Sequence, residues 1–198
     1  MQQLFATQIY QKKIQFDLKD LAKEIHQIST ADVAGQKWSS KNYQNGYTSY
    51  GSWDQMHKMS STFRDLEKKI DKHVQALIKN LDFEIDKKAL KMDSCWVNIM
   101  PPGAQHTSHL HPNSVISGTF YVAIPAKSSA IKFEDPRLGL FMNAPTVKLS
   151  GRKENQRFFS LDPKAGDVVL FESWLKHEVP RNESKKPRIS VSFNYGWN

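Results

Sequence analysis

Apolar side chains recur at helical spacing along the first 81 residues and alternate with polar ones from about Ser94 onward. Leu18, Leu21, Ile25 and Ile28 fall on one face of a helix that Asp17 can cap. Phe63, Leu66, Ile70, Val74, Leu77, Ile78 and Leu81 repeat the same interval and predict a second helix over 60–81. LFATQIYQKKI (4–14) reads as an opening strand. The polar stretch 32–57, rich in Gly, Ser, Asn and Tyr, predicts a long ordered loop. Its aromatics (Trp38, Tyr43, Tyr47, Tyr50 and Trp53) suit either the rim of a site or the packing of the loop itself. CWVNIM, SGTFYVAI, AIKFED, DVVLFE and RISVSFNYGW are short β-rich runs bounded by Pro, Gly and Asp.

Helices followed by a series of strands predict an α+β, mainly β protein, a barrel or sandwich backed by helices. No repeat or low-complexity linker divides the chain, so one domain over 1–198 is expected, with 1–92 mainly helical support and loop and 93–198 the β core.

With 39% hydrophobic and 24% charged residues, the composition is that of a soluble globular chain. The apolar runs are far shorter than the ~20 residues of a membrane helix. The start, MQQLFATQIYQKK, has no charged n-region followed by an apolar stretch, and the expected location is cytoplasmic. A lone cysteine, Cys95, excludes an intramolecular disulfide and a Cys-rich zinc site, and it reads as a small buried hydrophobe. The net charge of +8 would suit an anionic partner. The charges alternate in sign along helical segments such as RDLEKKIDKH, which favours a solvated helix face over a nucleic-acid patch without excluding the latter.

Candidate chemistry gathers in HTSHLHPNSVISGTFYV (106–122), which holds three of the seven histidines. In a strand, residues i and i+2 point the same way, so His109 and His111 share a face and His106 lies off it. Two imidazoles about 7 Å apart at Cα can chelate one metal ion. A His-x-His pair alone is more often incidental than a ligand pair. A third ligand is available in His177, which follows the turn and buried strand of KAGDVVLFESWLKH. In RISVSFN, Arg188, Ser190, Ser192 and Asn194 share one face while Ile189, Val191 and Phe193 share the other. Such a strand fits a barrel wall whose polar face lines a cavity, and an arginine aimed into a cavity needs an anion. Taken singly, His177 reads as a surface histidine and Arg188 as an exposed arginine after KKP. Together with the pair they describe a divalent metal with open positions beside a carboxylate-binding arginine.

From about residue 94 to 196 the sequence resembles the 2-oxoglutarate- and Fe(II)-dependent oxygenases. NIMPPGAQHTSHLH is similar to the strand and loop of the alkylated-base demethylases, and SGTFYVAIP and KAGDVVLFESWLKH are similar to the prolyl hydroxylases. The strongest resemblance is to an uncharacterised group of such oxygenases marked by W-V-N (Trp96–Asn98), H-x-H-P (His109–Pro112), S-G-x-x-Y-V (Ser117–Val122), F-x-D-P-R (Phe133–Arg137) and R-I-S-x-S-F-N (Arg188–Asn194). LFATQIY and NGYTS also look like that group, so the resemblance extends over the whole chain.

The resemblance implies a double-stranded β-helix (jelly roll, cupin-like), Fe(II) on His109, His111 and His177, and 2-oxoglutarate as cosubstrate with O2. Arg188 should hold the distal carboxylate with help from the Tyr121 hydroxyl, and Asn98, Ser190 and Asn194 should be lesser contacts. The demethylases carry a second arginine where Asn194 stands. The superfamily's usual triad is His-x-Asp/Glu plus a distal His, whereas this chain has His111 at the carboxylate position. Three-histidine iron sites exist in other oxygenases. Alternatively a carboxylate arrives from elsewhere, Glu134 or Glu172, with His111 behind it. Read blandly, Tyr121 is a core aromatic, as are Trp96 and Trp174.

The expected activity is a dioxygenase that turns 2-oxoglutarate and O2 into succinate, CO2 and an oxidised, usually hydroxylated, substrate. The competing readings are a non-catalytic metal-binding jelly roll and a three-histidine dioxygenase that needs no 2-oxoglutarate. Arg188 with Tyr121 argues against both. Nothing distinguishes a peptide, amino acid, nucleobase or metabolite as primary substrate, and a homodimer stays open as an assembly.

Overall fold

The computed structural model describes residues 1–86 and 88–197. Two antiparallel sheets face each other. The larger has strand order β1-β8-β5-β10-β3-β2 and the smaller β4-β9-β6-β7. The strands are β1 Ile9–Lys13, β2 Tyr47–Thr48, β3 Leu90–Met100, β4 His106–His109, β5 Ile116–Ala123, β6 Ile131–Glu134, β7 Phe158–Leu161, β8 Asp167–Glu172, β9 His177–Val179 and β10 Arg188–Trp197. Four helices, α1 Leu18–Ala31, α2 Val33–Asn42, α3 Met56–Met59 and α4 Ser61–Asn80, come from the first half. No helix among the described residues is long and apolar enough to cross a membrane.

The alternation along β10 organises the layers. Ile189, Val191, Phe193 and Tyr195 join Val97, Phe120, Val122, Val168 and Leu170 in one core, packed against Leu21 and Ile25 of α1 and Phe63, Leu66, Ile70, Val74 and Leu77 of α4. The opposite faces of β5, β8 and β6 put Tyr121, Val169, Phe171, Ile131 and Phe133 into a second core between the sheets. Antiparallel register carries the alternation across strands, because Val191 pairs with Val97 and Phe120 whereas Ser190 pairs with Asn98 and Tyr121. Asp17 caps α1 by accepting from the Lys19 and Asp20 N–H groups, and Ser60 caps α4.

The structure differs from the pattern-based expectation in three ways. The opening strand is only Ile9–Lys13, paired with the edge of β8. The segment 32–57 is not a loop throughout, since it contains α2, β2 and α3. α2 has few buried apolar positions, so it shows no helical stripe. It is set instead by Asp32, buried to 1% exposure, which accepts from the Gly35 N–H at 2.8 Å and from the Tyr47 and Ser52 hydroxyls. The short strands β4, β7 and β9 also escape periodicity, which needs more residues than they have.

Asp32→Ala should remove the α2 cap and leave two hydroxyls without their acceptor. The expected destabilisation is about 2–4 kcal/mol in urea unfolding. Far-UV circular dichroism of the variant should show a partial loss of helix at unchanged sheet content.

Candidate metal centre

β9 delivers His177 directly opposite His109 of β4. His111 lies two residues beyond the end of β4, fixed by its backbone N–H donating to the Ser173 carbonyl at 3.0 Å. The three rings converge, with centroids 4.4 Å (His109–His177), 5.1 Å (His109–His111) and 5.2 Å (His111–His177) apart. One ligand atom from each histidine lies within 4.8 Å of the others, a spacing that can hold a metal ion. Nδ1 of His109 lies 2.7 Å from the Thr107 carbonyl, and Nδ1 of His177 lies 2.9 Å from the Leu175 carbonyl. A carbonyl only accepts, so both Nδ1 atoms carry the proton and Nε2 keeps the lone pair for a metal. Phe171 and Phe133 wall His177 at 4.6 and 6.0 Å.

His106 belongs to this pocket, contrary to the strand-parity reading. The ladder runs His106↔Val179 and His109↔His177, so β4 spends one more residue than β9 and carries a bulge. The extra residue reverses parity and brings His106 round to the side of His109, 4.9 Å away. Burial pushes the imidazoles down, helped by their mutual repulsion: to about 3 in His106 and His111 and to about 4 in His177. His109 also shifts down through burial, opposed by its bond to the Thr107 carbonyl. Neutral imidazoles are what a divalent cation requires.

Arg188, 3% exposed, opens into the same pocket. Among the described residues its Nη1 meets the Met100 sulfur at 3.2 Å, its Nε has no partner, and its guanidinium lies 4.9 Å from the Tyr121 ring centre. The Tyr121 hydroxyl is buried and unpartnered. Burial raises its pKa while the neighbouring guanidinium pulls it down. Asn98 donates to Ser192 at 3.0 Å and leaves Oδ1 without a donor. Ser190 also lines the pocket.

Four expectations are corrected here. Asn194 does not line the pocket, because Ser117 donates to its carbonyl oxygen and its amide donates to Ser94. Glu134 pairs with Lys176, and Glu172 accepts from the Trp174 indole, so neither joins the histidines. No acidic residue lines the pocket among those described. Trp174 is 46% exposed rather than core, whereas Trp96 is buried and lines the pocket. Of the aromatics of 32–57, Tyr43 reaches the pocket wall, Tyr50 packs on Trp96 at 5.0 Å and Trp38 on Tyr50 at 6.2 Å. Met100 and His106 were missed, since no spacing rule marks a thioether or a bulged strand.

The donors fit the pair that the sequence resemblance implies. Three neutral imidazoles offer lone pairs to Fe(II), and the orphaned Arg188 Nε and Tyr121 hydroxyl offer donors to a carboxylate.

The depressed imidazoles make the metal-free protein acid-sensitive. An unfolded chain takes up protons near the ordinary histidine value of 6.5, while these four stay neutral in the fold. The unfolded state therefore binds more protons as pH falls, so stability is fully present above about 6.5 and is lost toward about 4 and 3. The urea midpoint of the metal-free protein should drop from pH 7.5 to pH 5. A His106→Gln/His111→Gln variant should show a smaller drop.

A family model described as "Putative 2OG-Fe(II) oxygenase" matches residues 94–194. The fold is similar to that of a prolyl-4-hydroxylase from Pseudomonas putida, with a TM-score of 0.64 and 15% identity over 97% of this chain and 94% of that one. It is similar to HygX from Streptomyces hygroscopicus, solved with nickel and 2-oxoglutarate, with a TM-score of 0.66 and 13% identity over 98% and 84%. It is also similar to the epimerase SnoN, in complex with Fe3+, alpha ketoglutarate and nogalamycin RO, with a TM-score of 0.64 and 13% identity over 96% and 79%. At these identities the likeness establishes the fold, the double-stranded β-helix. No curated protein sequence matches the chain. Because the matched stretch takes in both histidine strands, His111 and the arginine at the head of β10, the chain belongs to the 2OG-Fe(II) oxygenase family, whose cofactors are Fe(II) and 2-oxoglutarate.

Proposed function

We propose that the protein is a dioxygenase that hydroxylates its substrate, with His109, His111 and His177 as the ligands of Fe(II) and Arg188 as the anchor of 2-oxoglutarate. The observation that carries this reading is a buried arginine without an anionic partner in the same pocket as three convergent neutral histidines. When bound, iron lets O2 oxidise 2-oxoglutarate to succinate and CO2 and deliver oxygen to the primary substrate.

The chain's own groups bind and orient. The carbonyls of Thr107 and Leu175 hold the His109 and His177 rings with Nε2 toward the centre. Arg188 takes the distal carboxylate by charge and the Tyr121 hydroxyl, buried beside the guanidinium just behind the lining, donates to it, while Asn98 and Ser190 border the cosubstrate. Phe171 and Ile131, backed by Phe133, give the pocket an apolar wall beside His177. The hydroxylase form of the reaction is supported by the prolyl-hydroxylase-like runs SGTFYVAIP and KAGDVVLFESWLKH.

Anaerobic titration with Fe(II) and then 2-oxoglutarate should develop a metal-to-ligand charge-transfer band in the visible. No band at saturating concentrations of both would overturn the reading. Arg188→Ala should lower 2-oxoglutarate affinity by roughly 2–5 kcal/mol and leave Fe(II) affinity intact. Unchanged cosubstrate affinity in that variant would remove Arg188 from its role.

His111 is tested by two variants. His111→Ala opens a coordination position and should weaken Fe(II) binding more than 100-fold, beyond the roughly 10–100-fold typical of a group that only supports a ligand. His111→Asp should keep or raise the affinity, because a carboxylate adds negative charge next to the cation. Isothermal titration that gives both variants near wild-type affinity would mean that His111 is not a ligand.

A further inference from the structure

The proposed 2-oxoglutarate site leaves a fully buried hydroxyl of the pocket lining unused. Tyr43 is 3% exposed and lines the pocket, and its hydroxyl has no hydrogen-bond partner among the described residues. A buried phenol without an acceptor is costly, so an unpartnered hydroxyl on a residue that lines a cavity points to something that enters it.

The ring is firmly held. Tyr43 closes α2, its N–H donating to the Ser39 carbonyl at 2.8 Å, and the Gly46 N–H donates back to the Tyr43 carbonyl at 3.1 Å. Gly46 packs so closely that a Cβ there would sit 2.6 Å from a Tyr43 ring carbon, which makes glycine a steric requirement of this ring position. The His106 ring lies 4.7 Å from that of Tyr43. Tyr43 also packs in one small cluster with Met100, Ala104 and Val179, and Met100 is the residue whose sulfur meets Arg188 Nη1. Burial raises the phenol's pKa and the nearby Arg188 charge lowers it, as expected for two groups bordering one space.

No acidic side chain lines the pocket among the described residues, so an anionic acceptor for these donors would come from outside the protein. We infer that Tyr43 donates to the distal carboxylate of 2-oxoglutarate beside Arg188 and Tyr121, so that the end of α2 closes the cosubstrate pocket. A carboxylate has about four lone-pair sites, enough for an arginine and two phenols. The inference rests on the 2-oxoglutarate reading above and adds a residue from the N-terminal half, outside the stretch matched by the family model.

The test compares two ligands on the Fe(II)-loaded protein without oxygen, read by the visible band. 2-Oxoglutarate carries the distal carboxylate, and 2-oxopentanoate has the same 2-oxo acid head without it. Tyr43→Phe keeps the ring between Gly46 and His106 and removes only the oxygen. It should weaken 2-oxoglutarate about 10- to 100-fold, as for a hydrogen bond to a charged group, and leave both Fe(II) and 2-oxopentanoate affinities unchanged. Gly46→Ala, which displaces the ring with its hydroxyl, should reproduce the selective loss and add nothing to Tyr43→Phe. An equal loss for both ligands would mean a packing role, and no loss would place the hydroxyl elsewhere. Either overturns the inference while the cosubstrate reading stands. A wild-type protein that binds Fe(II) but no 2-oxoglutarate would overturn both.

Discussion

Arg188, 3% exposed and with no carboxylate beside it among the described residues, is the constraint around which this molecule is arranged. Water is excluded from most of its surroundings, and its side-chain hydrogen-bond partner among the described residues, a thioether, is a weak acceptor. Desolvating a cation in this way is unfavourable unless an anion is admitted. The scaffold tolerates it because the helix-facing core of the large sheet is extensive, and Ile189, next in sequence to Arg188, is part of that core. The strand that buries the charge is therefore the strand that anchors the fold.

The histidines complete the electrostatic design. All four in the pocket are held neutral by burial. In the proposed site Fe(II) adds two positive charges and Arg188 one, and dianionic 2-oxoglutarate offsets two of them. An excess of one positive charge remains, where a site with the superfamily's usual carboxylate would be balanced. Such a pocket would favour anionic ligands, and a metal held by three neutral imidazoles would be a stronger Lewis acid toward whatever filled its open positions. The orientation of the ligands is equally local: two backbone carbonyls, each two residues before its histidine, choose the tautomer.

Periodicity along single elements determined a good part of this in advance. The stripes of α1 and α4, the two faces of β10, and the runs that became β3, β5, β6 and β8 were legible because each repeats its pattern over enough residues to rise above chance. His109, His111, His177 and Arg188 were legible from residue type and spacing, and the structure places all four around one pocket.

Tertiary structure decided what depends on a neighbour rather than on a period. α2 is set by the buried Asp32 and its hydroxyl partners, none of which forms an apolar stripe. The β4 bulge reversed the side on which His106 points, and parity cannot be read across an unseen extra residue. Asn194 shares the face of Arg188 yet spends its hydrogen bonds on Ser117 and Ser94, because a face specifies direction and not distance along the strand. Tyr43 could be named as an aromatic of 32–57, but only tertiary packing, with Gly46 and His106 against its ring, puts it in the wall of the pocket.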